Sequence, residues 1–348
     1  MISNYRTEAP WIIAEMSGNH DNSLGHAMAI IDAAAAAGVH AIKFQTYTAD
    51  TMTIDIRRDE FVINNPKSLW FGRSLYDLYE EAATPWEWHA ELFSHARAKG
   101  LVPFSTPFDE TAVDFLETLD VPVYKIASFE NTDHALIRKV AGTGKPMIIS
   151  TGMASIDELA ESVAVARNGG CSDLTLLKCT SAYPAPADSV NLLTIPDMRE
   201  RFRCDVGLSD HTLGIGVAIA GVALGATVIE KHFTLNRSQG GVDSAFSMEP
   251  AEMTQLVAES HRAWLALGKV SYAFSDADES SLTFRRSLYV VQDMKAGDEF
   301  TCENLRAIRP SLGLAPKHIG EVLGRIAGCD IARGTPLVWS LLVGVQSK

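Results

Sequence analysis

Short, almost unbroken apolar runs recur along this chain, separated by segments in which apolar residues return every three or four positions. The runs are WIIAEMS near Ile13, AIKFQTY at 41–47, LVPFSTP at 101–107, VYKIASF at 123–129, PMIISTG at 146–152, LTLLKCT at 174–180, CDVGLSD at 204–210 and TVIEKHF at 227–233. Runs of this kind are strands buried on both faces. The segments between them, such as LGHAMAIIDAAAAAG, WEWHAELFSHARAKG and IDELAESVAVARNGG, carry helical spacing and close on a glycine that can serve as C-cap. Strand and helix in alternation predict a parallel sheet. Eight such units before about residue 270 predict a (β/α)8 TIM barrel rather than an open doubly wound sheet. No GxGxxG follows the first strand, which weakens a dinucleotide-binding reading.

The regular spacing breaks twice. A long excursion at 48–86, rich in Arg, Trp and Tyr, is expected either to cover the barrel mouth or to pack as a surface flap. After residue 270 the polar stretch SYAFSDADESSLTF has no strong period and reads as a linker over 271–284. From 285 to 348, short strands with turn signals at KAGD and ARGT predict a small β-rich second domain. The expected organisation is therefore a catalytic barrel at 1–270, the linker, and this module.

Composition adds exclusions. With 47% apolar and 21% charged residues, and no apolar run near the roughly 18 needed to cross a bilayer, the chain is expected to be a soluble enzyme. MISNYRTEAPWIIAEM lacks the layout of a signal peptide, so the expected location is the cytoplasm, with no membrane partner. A net charge of −13 argues against nucleic acid but leaves room for a local basic cleft around a small anion. The five cysteines, Cys171, Cys179, Cys204, Cys302 and Cys329, never form CxxC and read as reduced, mostly packed thiols.

The candidate chemistry sits where the runs end. Those ends carry Glu15, Lys43 with Gln45, Ser105 with Thr106, Lys125 with Ser128, and Ser150 with Thr151. They continue with Lys178 and Thr180, then Ser209-Asp210-His211 and Glu230-Lys231-His232. Barrel enzymes build their sites from C-terminal strand ends, and so many ionisable groups are costly to bury without a ligand. Internal salt links are the blander reading for any single lysine. His211 and His232 close neighbouring strands and can converge on one divalent cation; imidazole plus oxygen suits Mn²⁺, Zn²⁺ or Co²⁺, and Mg²⁺ less well. Lys43 and Lys125 beside hydroxyls suit phosphate and carboxylate. His20 is a candidate for the mouth of the pocket, while His89, on a helix, reads as structural.

IAEMSGNH, KFQTYTADTMT, FSTPFDETAVDFLE, YKIASFENTD, IISTGMAS, KCTSAYPAP, GLSDHTLGIG and EKHFTL with GGVDSAFSMEP resemble the sialic acid synthase family almost end to end. The tail from about Arg285 resembles that family's antifreeze-like (β-clip) domain. The resemblance implies condensation of phosphoenolpyruvate with an N-acylated amino-sugar aldehyde. EMSGNH, SLWFGRSLYDLY, TPWEWH and KIASFENTD resemble the pseudaminate-forming branch, which implies 2,4-diacetamido-2,4,6-trideoxy-altrose as acceptor, with the neuraminate and legionaminate branches as alternatives.

It further implies His211 and His232 as ligands of a divalent metal, Mn²⁺ foremost with Mg²⁺ or Co²⁺ as alternatives. Phosphoenolpyruvate contacts fall on Lys43, Thr106, Lys125, Ser128, Ser150, Ser181, Tyr183 and Ser209, with Ser181 standing where the neuraminate branch has asparagine. Glu15 and Gln45 fall near the reacting centre, and Asp243 on a sugar hydroxyl. Arg309 matches an arginine inserted into the partner's barrel, implying a domain-swapped homodimer. The expected catalytic residues are Glu15, Lys125, His211 and His232. A metal-dependent aldolase or isomerase, or a non-catalytic sugar binder, are the competing classes.

Overall fold

The computed structural model describes residues 9–344, which divide into two compact units at Gly268 and Lys269. In the first unit all eight apolar runs become strands of one closed parallel barrel, in sequence order. They are β1 (Trp11–Glu15), β2 (Ala41–Thr46), β3 (Val102–Pro107), β4 (Tyr124–Ile126), β5 (Met147–Ser150), β6 (Leu174–Cys179), β7 (Asp205–Ser209) and β8 (Val228–His232). The barrel shuts where β1 pairs with β8, from Trp11 opposite Val228 to Glu15 opposite His232.

Helices start where an oxygen side chain can cap them. Ser23, Asp109, Asp133 and Ser155 each accept a backbone N–H at the head of a helix, a contribution of about 1 kcal/mol apiece. The apolar stripes of these helices then cover the outward-facing strand residues, for example Ile30, Leu116, Leu136 and Val163 with Ile42, Phe44, Ile149 and Leu208.

Inward-facing residues of the same strands form a second apolar cluster inside the barrel: Trp11, Ile13, Ala41, Phe104, Val123, Ile148, Leu177 and Val228. The rings of Trp11 and Phe104 stack with centroids 5.9 Å apart. On β7 the corresponding position is Gly207, where a Cβ would fall 2.3 Å from the Val228 carbonyl oxygen. Only glycine fits there. The barrel interior is thus closed below by a packed floor, and the space above it is where a ligand can enter.

The second unit is described by itself. Its antiparallel pair β9 (Ser287–Val290) and β10 (Leu305–Ile308) packs with Met294, Phe300, Val322, Ile331, Leu337 and Leu342 into a small core. The segment read as a linker contains the helix Asp276–Leu282. Its side chains are polar almost all round, so no apolar period betrays it; the signal was the capping box, in which Ser275 and Asp278 bond reciprocally. Among the cysteines, Cys171 and Cys179 are buried and Cys204 half-buried, whereas Cys302 and Cys329 are exposed. No helix among the described residues is long and apolar enough to cross a membrane.

Candidate active site

Side chains alternate along a strand, so the residue two places beyond each floor residue faces the interior one layer higher, about 6–7 Å up the barrel. That layer consists of Glu15, Lys43, Thr106, Lys125, Ser150, Cys179, Ser209 and Glu230, and none of the eight is more than 4% exposed. Each ring residue thus stands two places beyond an apolar floor residue, or glycine on β7, and β1 adds Trp11 as a second floor residue.

The ring is wired by alternating charge. Lys43 Nζ lies 2.7 Å from Glu15 Oε2, donates to Thr106 Oγ1 at 3.1 Å, and stands 3.8 Å from Glu230. Lys125 Nζ lies 3.8 Å from the other Glu230 oxygen and donates to Ser150 Oγ at 2.7 Å. Gln45 Nε2 donates to Glu15 Oε1, and Ser209 Oγ to Glu230 Oε1. Two ammonium groups and two carboxylates sit in a dry interior, so an entering anion meets cations that are already positioned.

Burial sets the protonation pattern. It pushes Glu15 up to about 7 against the pull of Lys43. The Lys43 ammonium also suffers from burial, but Glu15 and Glu230 outweigh this and raise it. Lys125 is lowered, by burial first. Burial works against ionised Glu230 too, yet Lys125 and Lys43 prevail and hold it below the usual carboxylate range.

His211 and His232 stand above the ring with centroids 5.3 Å apart. His211 Nδ1 faces the Thr180 carbonyl at 3.0 Å, which assigns the proton to Nδ1 and leaves Nε2 as a donor of electrons. His232 Nδ1 is buried with no hydrogen-bond partner, and burial holds this imidazole well below its ordinary pKa, hence neutral. Among the described residues no third His, Cys, Asp or Glu completes a cluster with them. Burial works against a charged His211, but Cys179 and the Thr180 carbonyl outweigh it and raise its pKa. The orphaned His232 nitrogen beside the His211 ring fits a divalent cation whose remaining positions fall to water or substrate oxygens.

Several other residues picked out in the sequence gather around this centre. Ser128 Oγ accepts the Gly152 N–H at 3.1 Å, and a Cβ on Gly152 would fall 2.2 Å from Ser181 Oγ, so Ser128, Gly152 and Ser181 meet. Tyr183 lies 4.5 Å from the His211 ring and 6.4 Å from that of His232. Asp243 accepts a hydrogen bond from Ser17, and burial raises its pKa. Arg309 follows β10 in the second unit, where it is exposed and lines a cavity of about 550 Å³ with Ser281, Phe284, Arg285 and Arg286. His20 is buried beside Trp88, and His89 bridges Thr46 and the Pro85 carbonyl as a core histidine.

Four residues escaped the sequence reading. On β6 the inward residue is Cys179 rather than Lys178. Burial would raise its thiol, but His211 at 3.9 Å leads the groups that bring it down to about 7. Counting parity from Leu177 would have found it. Glu130, just past β4, has a buried oxygen without a hydrogen bond, and burial pushes it up to about 7. Phe246 packs 4.9 Å from His232, and Trp70 lies 5.9 Å from Tyr183 while donating to the Val242 carbonyl at 2.8 Å. Through Trp70 the excursion at 48–86 therefore reaches the mouth beside Tyr183, and nothing local in the sequence places Trp70 there.

This arrangement has relatives. Residues 30–272 match the NeuB family and residues 285–343 match the SAF domain. The chain is 43% identical over 340 residues to pseudaminic acid synthase of Campylobacter jejuni, covering 97% of this chain and 98% of that protein. It is 35% identical over 320 residues to N,N'-diacetyllegionaminic acid synthase of the same species, covering 91% and 95%. Among solved structures, N-acetylneuraminic acid synthetase of Leptospira borgpetersenii superposes with a TM-score of 0.70 at 30% identity, covering 79% of this chain and 91% of that one. The polar ring, the paired imidazoles and these matches lead to one conclusion: the chain belongs to the NeuB family of sialic acid synthases.

Proposed function

We propose that this enzyme condenses phosphoenolpyruvate with 2,4-diacetamido-2,4,6-trideoxy-altrose to give pseudaminic acid and phosphate. The observation that carries the reading is the pair Lys43 and Lys125, held by Glu15 and Glu230 beneath the His211–His232 pair. The higher identity to the pseudaminic acid synthase than to the legionaminic acid synthase supports the choice of acceptor.

His211 and His232 would hold the cation, Mn²⁺ in our reading with Mg²⁺ or Co²⁺ as substitutes; when bound, it supplies Lewis-acid polarisation of the aldehyde oxygen. Lys43 and Lys125 neutralise the phosphate and carboxylate of phosphoenolpyruvate, while Thr106, Ser128, Ser150, Ser181 and Ser209 orient it. The enol carbon C3 attacks the aldehyde carbon, forming the new C–C bond; the carbonyl π pair moves onto the aldehyde oxygen, and positive charge is left at C2. Water adds at C2, and its proton passes to Glu15, whose pKa of about 7 suits a base at neutral pH. The C–O bond to phosphate then breaks as the remaining C2 hydroxyl proton passes to the departing phosphate, leaving the C2 ketone, and Glu15 returns its proton to the new alkoxide. Tyr183, Phe246 and Trp70 keep bulk water from the carbon centre; Gln45 steadies Glu15, and Asp243 holds a sugar hydroxyl. Arg309 grips the acceptor from the SAF domain of a second copy in a domain-swapped homodimer, and the enzyme works in the cytoplasm.

Mass spectrometry of the product tests the reading. A nine-carbon acid with a methyl at C9, formed only with the altrose acceptor, is expected. Product from an N-acetylmannosamine or legionaminate acceptor instead would move the enzyme to another branch.

A further inference from the structure

Ser209-Asp210-His211 and Glu230-Lys231-His232 face each other residue by residue. In the first step Ser209 and Glu230 are register partners, joined by the hydrogen bond between their side chains. In the third, His211 and His232 form the imidazole pair. The middle step points the other way. Glu230 and its neighbour Lys231 lie on opposite faces of β8, so Lys231 leaves the barrel interior. There its ammonium meets Asp210 Oδ2 at 2.8 Å, the Thr212 carbonyl at 2.7 Å and the Gly214 carbonyl at 3.0 Å. Three donors find three acceptors. Asp210 Oδ1 in turn accepts the Thr212 N–H at 2.9 Å, and both charged side chains are buried, at 3% and 1% exposure.

The placement matters because β7 ends at Ser209, and the barrel ladder between β7 and β8 ends at the Ser209–Glu230 pair. His211 lies two residues past that point. Beyond one further backbone bond, from Asp210 N–H to the Glu230 carbonyl, Lys231 is what draws residues 210–214 onto β8. His232 is bonded through the backbone to the residue supplying that ammonium. Thr180 and Ala185 hold the His211 ring and carbonyl on the β6 side; across to β8, the Asp210–Lys231 pair ties the backbone of one imidazole to that of the other.

We propose that Asp210 and Lys231 are positioning residues that set the separation of His211 and His232, and with it the affinity for the divalent cation, without touching substrate. The inference rests on the reading of the histidines as cation ligands. Partners that orient a metal ligand change metal affinity by about 10- to 100-fold when removed.

The test is Mn²⁺ titration of the full chain, free Mn²⁺ being read by electron paramagnetic resonance, alongside phosphoenolpyruvate binding measured by tryptophan fluorescence without metal. Wild type is expected to bind one Mn²⁺ per chain, and His211→Ala to lose it. Lys231→Met should weaken Mn²⁺ by about 10- to 100-fold while phosphoenolpyruvate affinity changes less than about threefold. Lys231→Arg, which keeps the charge and serves should the methionine variant fail to fold, should fall between the two. Wild-type Mn²⁺ affinity in folded Lys231→Met or Lys231→Arg overturns the positioning role and leaves the histidine reading intact. Mn²⁺ binding by His211→Ala equal to wild type removes the histidine reading, and the inference with it.

Discussion

The floor of the barrel and the ring above it are drawn from the same eight strands, two residues apart, and they obey different rules. Trp11, Ile13, Phe104 and Ile148 are interchangeable in kind: each is apolar and fills space, and the layer would tolerate exchanges that keep volume. Glu15, Lys43, Lys125 and Glu230 are not. Each ammonium is answered by a carboxylate, so changing one charge strands another in a dry interior. One layer is specified by volume, the other by charge and hydrogen-bond geometry. Stability resides in the first and chemistry in the second.

That division can be broken in order of expected effect. Glu15→Gln keeps shape and burial but removes the base, so kcat should fall about a thousand-fold while phosphoenolpyruvate binding stays nearly intact. Single-turnover rates beside a binding titration check it, and lost binding with surviving turnover would reassign Glu15. Phe104→Ala probes the floor: unfolding in urea should show a loss of about 3–5 kcal/mol, with kcat of the folded protein little changed. A large fall in kcat at unchanged stability would erase the distinction between the layers.

The pH profile sharpens it. Glu15, raised to about 7, is protonated below that value and cannot accept a proton, so kcat/KM should climb as pH rises through about 7 and level off above it. Glu130 is raised to a similar value and is the rival source of this limb. If Glu15 is the base, Glu130→Gln keeps the limb; a profile flattened by that substitution would transfer the role. The smallest effect is expected at the mouth. Trp70→Ala should raise the KM for the acceptor about two- to tenfold and leave that for phosphoenolpyruvate unchanged.

The two layers were also unequally legible in the sequence. The strands announce themselves because a strand buried on both faces has to be apolar almost throughout, and LTLLKC or WIIAE has few other uses. The ring shows as polar residues interrupting those runs, which is why Glu15, Lys43, Lys125 and Glu230 stand out. Parity hid Cys179, since the adjacent Lys178 looks more like chemistry but lies on the outer face. Glu130 and Phe246 end single-turn 3-10 helices, Ser128–Glu130 and Ser244–Phe246, too short for a period to fix direction. Trp70 reaches the site from an excursion whose path depends on contacts with Val242 and Tyr183, far away in the chain. The helix Asp276–Leu282 has no apolar face to read.

The most direct measurement is phosphate release by metal-stripped enzyme, with phosphoenolpyruvate, the altrose acceptor and Mn²⁺ each withheld in turn. The account predicts release only when all three are present, and none from His232→Ala at any Mn²⁺ concentration. Steady release without the acceptor, or full activity in the presence of excess chelator, would contradict it.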